Sequence, residues 1–199
     1  PPSPTTASSG ALPSGDLVAV SPAMQRARER VSRAATSNVP VLLVGERGTG
    51  KRLLARTIHE ESARSRRRLV VVALSADTDR DKERSLFGAS TAGNRSKGAV
   101  DEARGGTLFV PDVTALSAPL QVKLLLAAEQ RCARPVGAVA DVPVDFRVII
   151  AAQPDLEPGT SPRSSTSTPL RRDIYQHRGV LEIEVPPLRE RREDILPLT

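Results

Sequence analysis

A glycine-rich loop that ends in a lysine is the stretch of this sequence best suited to chemistry. It reads GERGTGK, residues 45 to 51, and it lies between an apolar run and a helical pattern. Glycines let a backbone wrap around a phosphate so that N–H groups point inward, and a following helix N-terminus adds positive potential. The lysine reaches the outer phosphates of a nucleotide. We therefore predict a nucleotide site formed by Gly45, Glu46, Arg47, Gly48, Thr49, Gly50, Lys51 and Arg52.

The residues that should complete this chemistry depart from the pattern. Arg52 stands where a serine or threonine would hold Mg²⁺. Acids that orient the metal and polarise the attacking water are expected at the tip of a neighbouring strand, and only GTLFVPD offers one. Pro111 cannot ligate a metal, so Asp112 is the one candidate for both metal ligand and catalytic acid. The sequence thus predicts nucleotide binding with impaired hydrolysis.

Alternating helical and strand patterns predict the elements that position these residues. Ser21-Pro22 starts a helix through residue 35, a second helical pattern covers residues 51 to 64, and a third covers 118 to 130. Short apolar, β-branched runs predict buried strands at residues 39–45, 69–75, 106–110, 146–152 and 180–185. Strands that alternate with helices indicate an α/β sandwich with a mostly parallel sheet.

The composition of the 199 residues fits one such domain. Aromatic residues make up only 2%, so the core must consist of Val, Leu, Ile and Ala, which suits a parallel sheet. Lys and Arg outnumber Asp and Glu by 29 to 23, and an arginine-rich genome explains this more simply than a phosphate-bearing partner. The single Cys132 excludes a disulfide framework. Without a membrane-length apolar run or a signal peptide, we expect a cytoplasmic protein and no membrane partner.

Low-complexity stretches suggest the domain boundaries. Residues 1–15, rich in Pro, Ser, Thr and Gly, are expected to be a flexible linker. Residues 16–187 would form the nucleotide-binding domain, interrupted by a mobile surface loop at 157–169. The run REDILPL predicts a new helix, so we interpret residues 188–199 as the start of a helical lid that something further would complete.

Several stretches together resemble one family, the AAA+ domain of bacterial sigma-54-dependent transcription activators. They are SPAMQ, VLLVGERGTGK, LLARTIHEESAR, SLFG, GGTLF, LQVKLL, FRVIIAA and, most specifically, VPPLRERREDI. The resemblance implies a P-loop NTPase with a three-layer α/β/α sandwich and a five-stranded sheet. It also implies ATP or ADP with Mg²⁺, a homo-oligomeric ring that acts on sigma-54 RNA polymerase, and DNA binding through a separate domain that is absent from this chain.

This sequence departs from the family at the positions that do chemistry. The family's paired acids fall on Pro111 and Asp112, and its γ-phosphate sensors fall on Ala73 and on Ala152-Gln153. Its sigma-54-contacting loop should lie between SLFG and GGTLF, where ASTAGNRSKGAVDEAR is shorter by about five residues. We therefore expect that sigma-54 is not remodelled in the usual way.

The resemblance also identifies the arginines that members extend into the neighbouring subunit's site. Arg171 matches the first, whereas the second falls on His177, with Arg178 one place further along. Such an arginine stabilises charge on the transferring phosphoryl group. Arg171 is therefore the second candidate catalytic residue beside Asp112.

Three alternatives stay open beside the interpretation as a nucleotide-dependent scaffold or oligomerisation switch. One is an active ATPase whose second acid is Asp101 or Glu102, and another is a nucleotide-free interaction module. The third, direct nucleic-acid binding through the first helix and the arginines at 64–68, ranks last because stacking aromatics and a docking motif are lacking. His59 is interpreted as structural. Glu190 with Arg189 or Arg191 is expected to form ion pairs that seat the lid.

Overall fold

Five parallel strands form the central sheet of the protein. A computed structural model describes residues 17–74, 78–91, 94–154 and 179–198. The strands are β1 (Val41–Val44), β2 (Leu69–Val71), β5 (Thr107–Val110), β8 (Arg147–Ala152) and β9 (Leu181–Glu184). Their order in the sheet is β2-β5-β8-β1-β9, and every neighbouring pair is parallel. All five lie within the predicted runs, and the predicted α/β class is confirmed.

Five α-helices accompany these strands in the described part of the chain. Helices α1 (Pro22–Ala35) and α5 (Ala118–Gln130) have the predicted bounds, and both carry proline in the first turn. Helix α2 (Lys51–Glu60) ends four residues before the predicted position 64. Its end is fixed locally, because the Ser62 hydroxyl donates to the carbonyl of His59. The other two helices are α3 (Asp79–Phe87) and α4 (Ala99–Glu102).

The sheet separates two hydrophobic cores, because successive side chains of a strand point to opposite faces. In β1, Val41 and Leu43 belong to one core, whereas Leu42 and Val44 belong to the other. The first core receives the buried faces of α1 and α2, and the second receives those of α3 and α5. Helices on both faces of a parallel sheet give the predicted three layers.

Two short hairpins lie outside the central sheet, and the sequence analysis did not predict them. Strands β3 (Ala89–Thr91) and β4 (Asn94–Ser96) form one antiparallel pair, and β6 (Cys132–Ala133) and β7 (Val142–Pro143) form the other. Runs of two or three residues carry too little periodicity to be recognised as strands.

The prediction of an α-helix from the run REDILPL, residues 192–198, is wrong. The structure instead has short 3₁₀ turns at Leu188–Glu190, Arg192–Asp194 and Leu196–Leu198. Asp194 is committed to contacts with the start of α1, and Pro197 lacks the N–H that an α-helix needs. In the described residues, no helix is both long and apolar enough to cross a membrane.

Candidate functional site at the phosphate loop

The glycine-rich loop lies at the carboxyl end of β1, where the sheet order changes direction. Strand β1 has β8 on one side and β9 on the other, while β2, the next strand in sequence, lies at the far edge. Gly45 N–H donates to the carbonyl of Ala152 at 3.2 Å, and Val185 N–H donates to that of Val44 at 2.7 Å. Ligands of open α/β sheets bind in the crevice at such a switch point. The topology thus places residues 45–51 where a ligand is expected.

Three glycines of the loop are required for different reasons. Gly48 and Gly50 have φ of +85° and +95°, the left-handed region that side chains disfavour. Gly45 has no such φ, but a Cβ there would lie 2.9 Å from both the Val185 carbonyl oxygen and Thr49 Oγ1. The loop therefore needs glycine at two positions for its backbone path and at the third for its packing.

Helix α2 begins directly after the loop with its N-terminus open. Its N-cap is Gly50, which has no side chain to satisfy the free N–H groups of the first turn. These groups and the helix dipole create positive potential. An anionic group in the loop would accept hydrogen bonds from these N–H groups and be stabilised by the helix dipole.

Lys51 closes the loop on itself. Its Nζ donates to the carbonyl oxygens of Gly45 at 2.6 Å and Glu46 at 2.7 Å. Burial lowers the pKa of Lys51, although the carboxylates of Asp112 and Glu46 act in the opposite direction. The ammonium is thus held beside the loop backbone, where a phosphate oxygen would lie.

A cavity of about 440 Å³ opens beside the loop. Its walls come from the loop, the start of α2, the segment before α1 and the segment after β9. The apolar part of its lining consists of Leu17, Val18, Met24, Leu53, Leu54, Pro187 and Leu188. A mixed apolar and charged cavity next to a phosphate loop suits an aromatic base joined to phosphates.

The C-terminal segment, residues 187–198, contacts the loop through two arginines. Arg189 forms a two-point ion pair with the Glu46 carboxylate at 2.6 and 2.8 Å. Arg191 is buried and donates to the carbonyl of Thr49 at 2.9 Å. The expected ion pair of Glu190 with Arg189 is present at 3.8 Å, but the shorter contacts of Arg189 are with Glu46. Arg191 donates to a backbone carbonyl and forms no ion pair with the described residues. The run VPPLRERREDI was the sequence signal for this segment, but it did not name the partners.

Asp194 connects the same segment to the N-terminus of α1, a contact that the sequence analysis missed. Its two carboxylate oxygens accept from Val20 N–H at 2.7 Å, Ser21 N–H at 2.8 Å and the Ser21 hydroxyl at 2.8 Å. Burial acts to raise the pKa of Asp194, but these hydrogen bonds outweigh burial and lower it. A charge pattern in REDI gives no hint of a partner so far away in sequence.

Asp112 follows β5 and is the N-cap of the 3₁₀ turn Val113–Ala115. Its Oδ1 accepts from the Thr114 N–H at 3.0 Å and from the Thr114 hydroxyl, which caps the 3₁₀ turn Val113–Ala115. Its carboxylate also acts electrostatically on Lys51. Asp112 is therefore near the loop, but one of its oxygens is engaged in local structure.

The structure gives less support to the other predicted site residues. Arg52, Ala73 and Gln153 are exposed. The candidate Arg171 and its neighbours His177 and Arg178 lie outside the described residues, as does the loop predicted at 157–169. Within the described residues, there is no cluster of three or more His, Cys, Asp or Glu that could hold a metal ion.

His59 has the structural role that was predicted for it. Its Nε2 lies 3.1 Å from the Arg67 carbonyl oxygen, and its Nδ1 lies 2.9 Å from Thr107 Oγ1. A carbonyl only accepts, so Nε2 carries the hydrogen and Nδ1 accepts from the threonine. The ring therefore joins α2 to β5 and is not available as a metal ligand.

Comparison with known proteins agrees with this geometry. The family model described as "Sigma-54 interaction domain" matches residues 17–184. The transcriptional regulatory protein ZraR of Klebsiella oxytoca is 40% identical over 187 residues, which cover 92% of this chain and 41% of ZraR. The response regulator protein PilR of Pseudomonas aeruginosa is 39% identical over 184 residues, with 90% of this chain and 40% of PilR covered. The chain thus spans about two fifths of the length of these relatives.

Solved structures give the same result for the fold. NtrX from Brucella abortus, crystallised with ADP, superposes with a TM-score of 0.74 at 33% identity and covers 92% of this chain and 40% of its own. Its complex with ATP gives 0.74 at 34% identity, with coverage of 93% and 42%. The P-loop NTPase domain of an Escherichia coli sigma-54 activator has a TM-score of 0.51 at 20% identity, with coverage of 83% and 97%, and it supports the fold alone. The resemblance inferred from the sequence motifs is confirmed.

Proposed function

Because the chain belongs to the sigma-54 interaction domain family of AAA+ transcription regulators, we propose that it binds ATP or ADP at residues 45–52 and acts as a nucleotide-dependent scaffold or oligomerisation switch. The observation that carries the proposal is the conformation of the loop. Two left-handed glycines and the Lys51 ammonium meet the open N-terminus of α2 at the switch point of the sheet. That combination of fixed N–H donors and a cation suits a polyphosphate.

Two further observations support the nucleotide. The cavity beside the loop is large enough for part of a nucleoside and is lined by apolar side chains on its outer wall. NtrX, at 33 to 34% identity, was crystallised with ADP and with ATP. When bound, the nucleotide would place its phosphates at the N–H groups of Gly48 and Gly50 and at Lys51.

Impaired hydrolysis is the second part of the proposal. Pro111 stands where the family has the first of two acids at the end of the strand. One carboxylate oxygen of Asp112 already accepts a hydrogen bond from Thr114 N–H. Arg52 offers no hydroxyl to Mg²⁺, so the metal would rest on nucleotide phosphates and Asp112 alone. Arg171 is proposed to act across a ring interface, as its position in the family pattern implies. With so few groups to stabilise the transferring phosphoryl, turnover should be slow.

The third part concerns sigma-54, which we propose is not engaged in the usual way. The interval that should hold the contacting loop contains the short β3–β4 hairpin. Ser90 N–H donates to the Val136 carbonyl at 2.8 Å, and Val136 N–H donates to the Gly88 carbonyl at 3.0 Å. The first strand of the hairpin is thereby held against the body of the domain, which leaves little chain for a reaching loop.

The active-ATPase alternative requires Asp101 or Glu102 near the phosphate loop, and the geometry disfavours it. Both residues lie in α4, which precedes β5, whereas Asp112 follows that strand. A four-residue strand spans roughly 13 Å. Asp101 is also engaged, because its carboxylate accepts from Gly98 N–H and pairs with Arg95. The nucleotide-free module remains an outcome of the experiment below.

We also propose the domain limits and setting inferred from the sequence. They are a linker at 1–15, a nucleotide-binding domain at 16–187 and the first part of a lid at 188–199. A homo-oligomeric ring, DNA contact through a separate domain and a cytoplasmic location belong to the same proposal.

Thermal unfolding with ATP or ADP and Mg²⁺ tests the nucleotide site. A ligand at one hundred times its Kd stabilises a fold by about 2.7 kcal/mol, which raises the melting temperature by roughly 5 to 10 °C in a domain of this size. Lys51→Ala should abolish the rise, while Lys97→Ala, which removes an exposed lysine after β4 that does not line the cavity, should keep it. An unchanged melting temperature in the original chain at saturating nucleotide would instead establish the nucleotide-free module.

A phosphate-release assay tests the impaired hydrolysis separately from nucleotide binding. The original chain should hydrolyse ATP slowly, and the double change Pro111→Asp with Asp112→Glu should raise the rate by supplying the missing acids. The same double change combined with Lys51→Ala is the control and should remain inactive. Fast turnover in the original chain that Lys51→Ala abolishes would overturn impaired hydrolysis and leave nucleotide binding intact.

A further inference from the structure

A cluster of arginines lies at the end of the sheet opposite the phosphate loop. We call it the arginine face; it consists of Arg64, Arg67, Arg104, Arg131 and Arg147. These residues come from four parts of the chain: Arg64 and Arg67 lie before β2, and the others lie before β5, at the end of α5 and at the start of β8. Only the parallel fold brings them together, because the amino ends of parallel strands share one edge of the sheet.

Contacts around one carboxylate define the cluster. Arg64 pairs with Asp145 at 2.8 Å, and the charges of Arg131 and Arg104 also act on Asp145. Arg67 lies over Gly105, where its side-chain atoms come within 3.7 to 3.9 Å of the position of a Cβ. Gly105 N–H in turn donates to the Asp145 carbonyl at 2.6 Å.

The charges of this face are not balanced among the described residues. Arg147 is only 2% exposed, and two of its guanidinium nitrogens, Nε and Nη1, have no hydrogen-bond partner there. Arg67, Arg104 and Arg131 are exposed, and their guanidinium groups form no ion pair with the described part of the chain. Asp145 is paired with Arg64, and Glu129, which lines a cavity of about 220 Å³ with Arg131 and Arg147, is the other carboxylate. Three arginines of this face thus have no ion-pair partner among the described residues.

We propose that the arginine face binds the phosphate backbone of duplex nucleic acid without reading its sequence. Guanidinium groups donate in pairs to phosphate oxygens and keep their charge at all physiological pH values. Binding of this kind needs no stacking aromatics and no docking motif, whose absence ranked nucleic-acid binding last on sequence grounds. An acidic protein segment is the competing partner, and the test below distinguishes it from a duplex.

This inference is independent of the proposed nucleotide site. The loop and the arginine face lie at opposite ends of the strands, so a change in one leaves the other in place. Failure of nucleotide binding and failure of duplex binding can therefore be told apart with the same protein.

The test measures fluorescence anisotropy of a labelled duplex of about 24 base pairs with the whole chain, over roughly 50 to 200 mM salt. Each phosphate contact contributes about 0.9 to the slope of log affinity against log salt. The triple change of Arg67, Arg104 and Arg131 to Gln should reduce that slope by about 2 to 3 and weaken binding at least tenfold at low salt. The same three positions changed to Lys should keep most of the slope.

The matched control removes three charges elsewhere. Arg26→Gln, Arg80→Gln and Arg84→Gln change exposed arginines of α1 and α3, and the affinity should stay within about twofold. Equal loss in both Gln triples would overturn the proposal, because net charge alone would then govern binding. An absence of duplex binding would also overturn it and leave the arginines as partners of helix C-termini. Tighter binding of a polyglutamate peptide with the same number of charges would assign the face to an acidic protein instead.

Discussion

Arg189 donates two hydrogen bonds to the carboxylate of Glu46, and this pair joins the C-terminal segment to the second residue of the phosphate loop. The bonds from Arg189 are the main reason why the pKa of Glu46 is lowered, although slight burial opposes them. The pair is exposed to solvent, so its contribution to stability is small. Its importance lies in its position, because it neutralises a carboxylate beside the proposed phosphate site.

Arg189→Ala should weaken ATP binding several-fold and leave the melting temperature of the nucleotide-free protein unchanged. The unpaired Glu46 carboxylate would then repel the phosphates. Adding Glu46→Gln to Arg189→Ala should restore most of the affinity, which titration calorimetry can measure as a double-mutant cycle. If the double variant binds as weakly as the single one, Arg189 itself contacts the nucleotide.

Asp194→Asn should lower the free energy of unfolding by about 1 to 3 kcal/mol, because Val20 and Ser21 lose a charged acceptor in a buried place. The pKa of Asp194 is lowered from 3.8, so its stabilisation is present above that value and is lost as pH falls through the folded pKa. Urea unfolding at pH 7 and below pH 4 should therefore show an acid loss that the variant lacks. Glu193→Gln, an exposed neighbour, is the control and should leave both values unchanged.

His59 should make stability depend on pH near neutrality. Burial lowers its pKa from 6.5, helped by the charge of Arg147, while the Arg67 carbonyl and Glu60 oppose the shift. The unfolded chain then binds a proton before the folded one, so stability falls as pH decreases below about 6.5. His59→Gln should flatten that dependence in urea titrations between pH 5 and 8. A dependence that persists in the variant would place its source in another group.

Arg147→Met should be neutral or should stabilise the protein by about 1 kcal/mol, because an apolar side chain removes buried donors that lack partners. Burial lowers the pKa of Arg147 to about 10, with a contribution from the charge of Arg64. Both variants lose the bond to the Ala34 carbonyl, which still accepts from Ser37 N–H, but Arg147→Lys keeps a buried charge and should therefore destabilise. The melting temperatures of the two variants test this prediction. A lower melting temperature for the Met variant would show that Arg147 Nε and Nη1 have hydrogen-bond partners in solution.

Much of the fold followed from local patterns. Ser21-Pro22 predicted the start of α1, because capping and proline act within one turn of helix. The helical pattern of residues 118 to 130 predicted α5. The five apolar runs predicted the five sheet strands, since strands buried on both faces need continuous apolar sequence. The end of α2 and the two small hairpins were not predicted, because one local hydrogen bond from Ser62 to His59 ends the helix and strands of two or three residues carry too little periodicity.

By itself, the sequence determined the chemical identity of the proposed site: glycines where a loop must turn left-handed, Lys51 after them, and Pro111 where an acid would stand. These are properties of single residues and their nearest neighbours. Only the tertiary structure decided that Arg189 faces Glu46, that Asp194 binds the residues before α1 and that five arginines share one edge of the sheet. Each of these contacts joins segments that the pairing of parallel strands brings together. The spacing of residues along the sequence does not predict contacts of this kind.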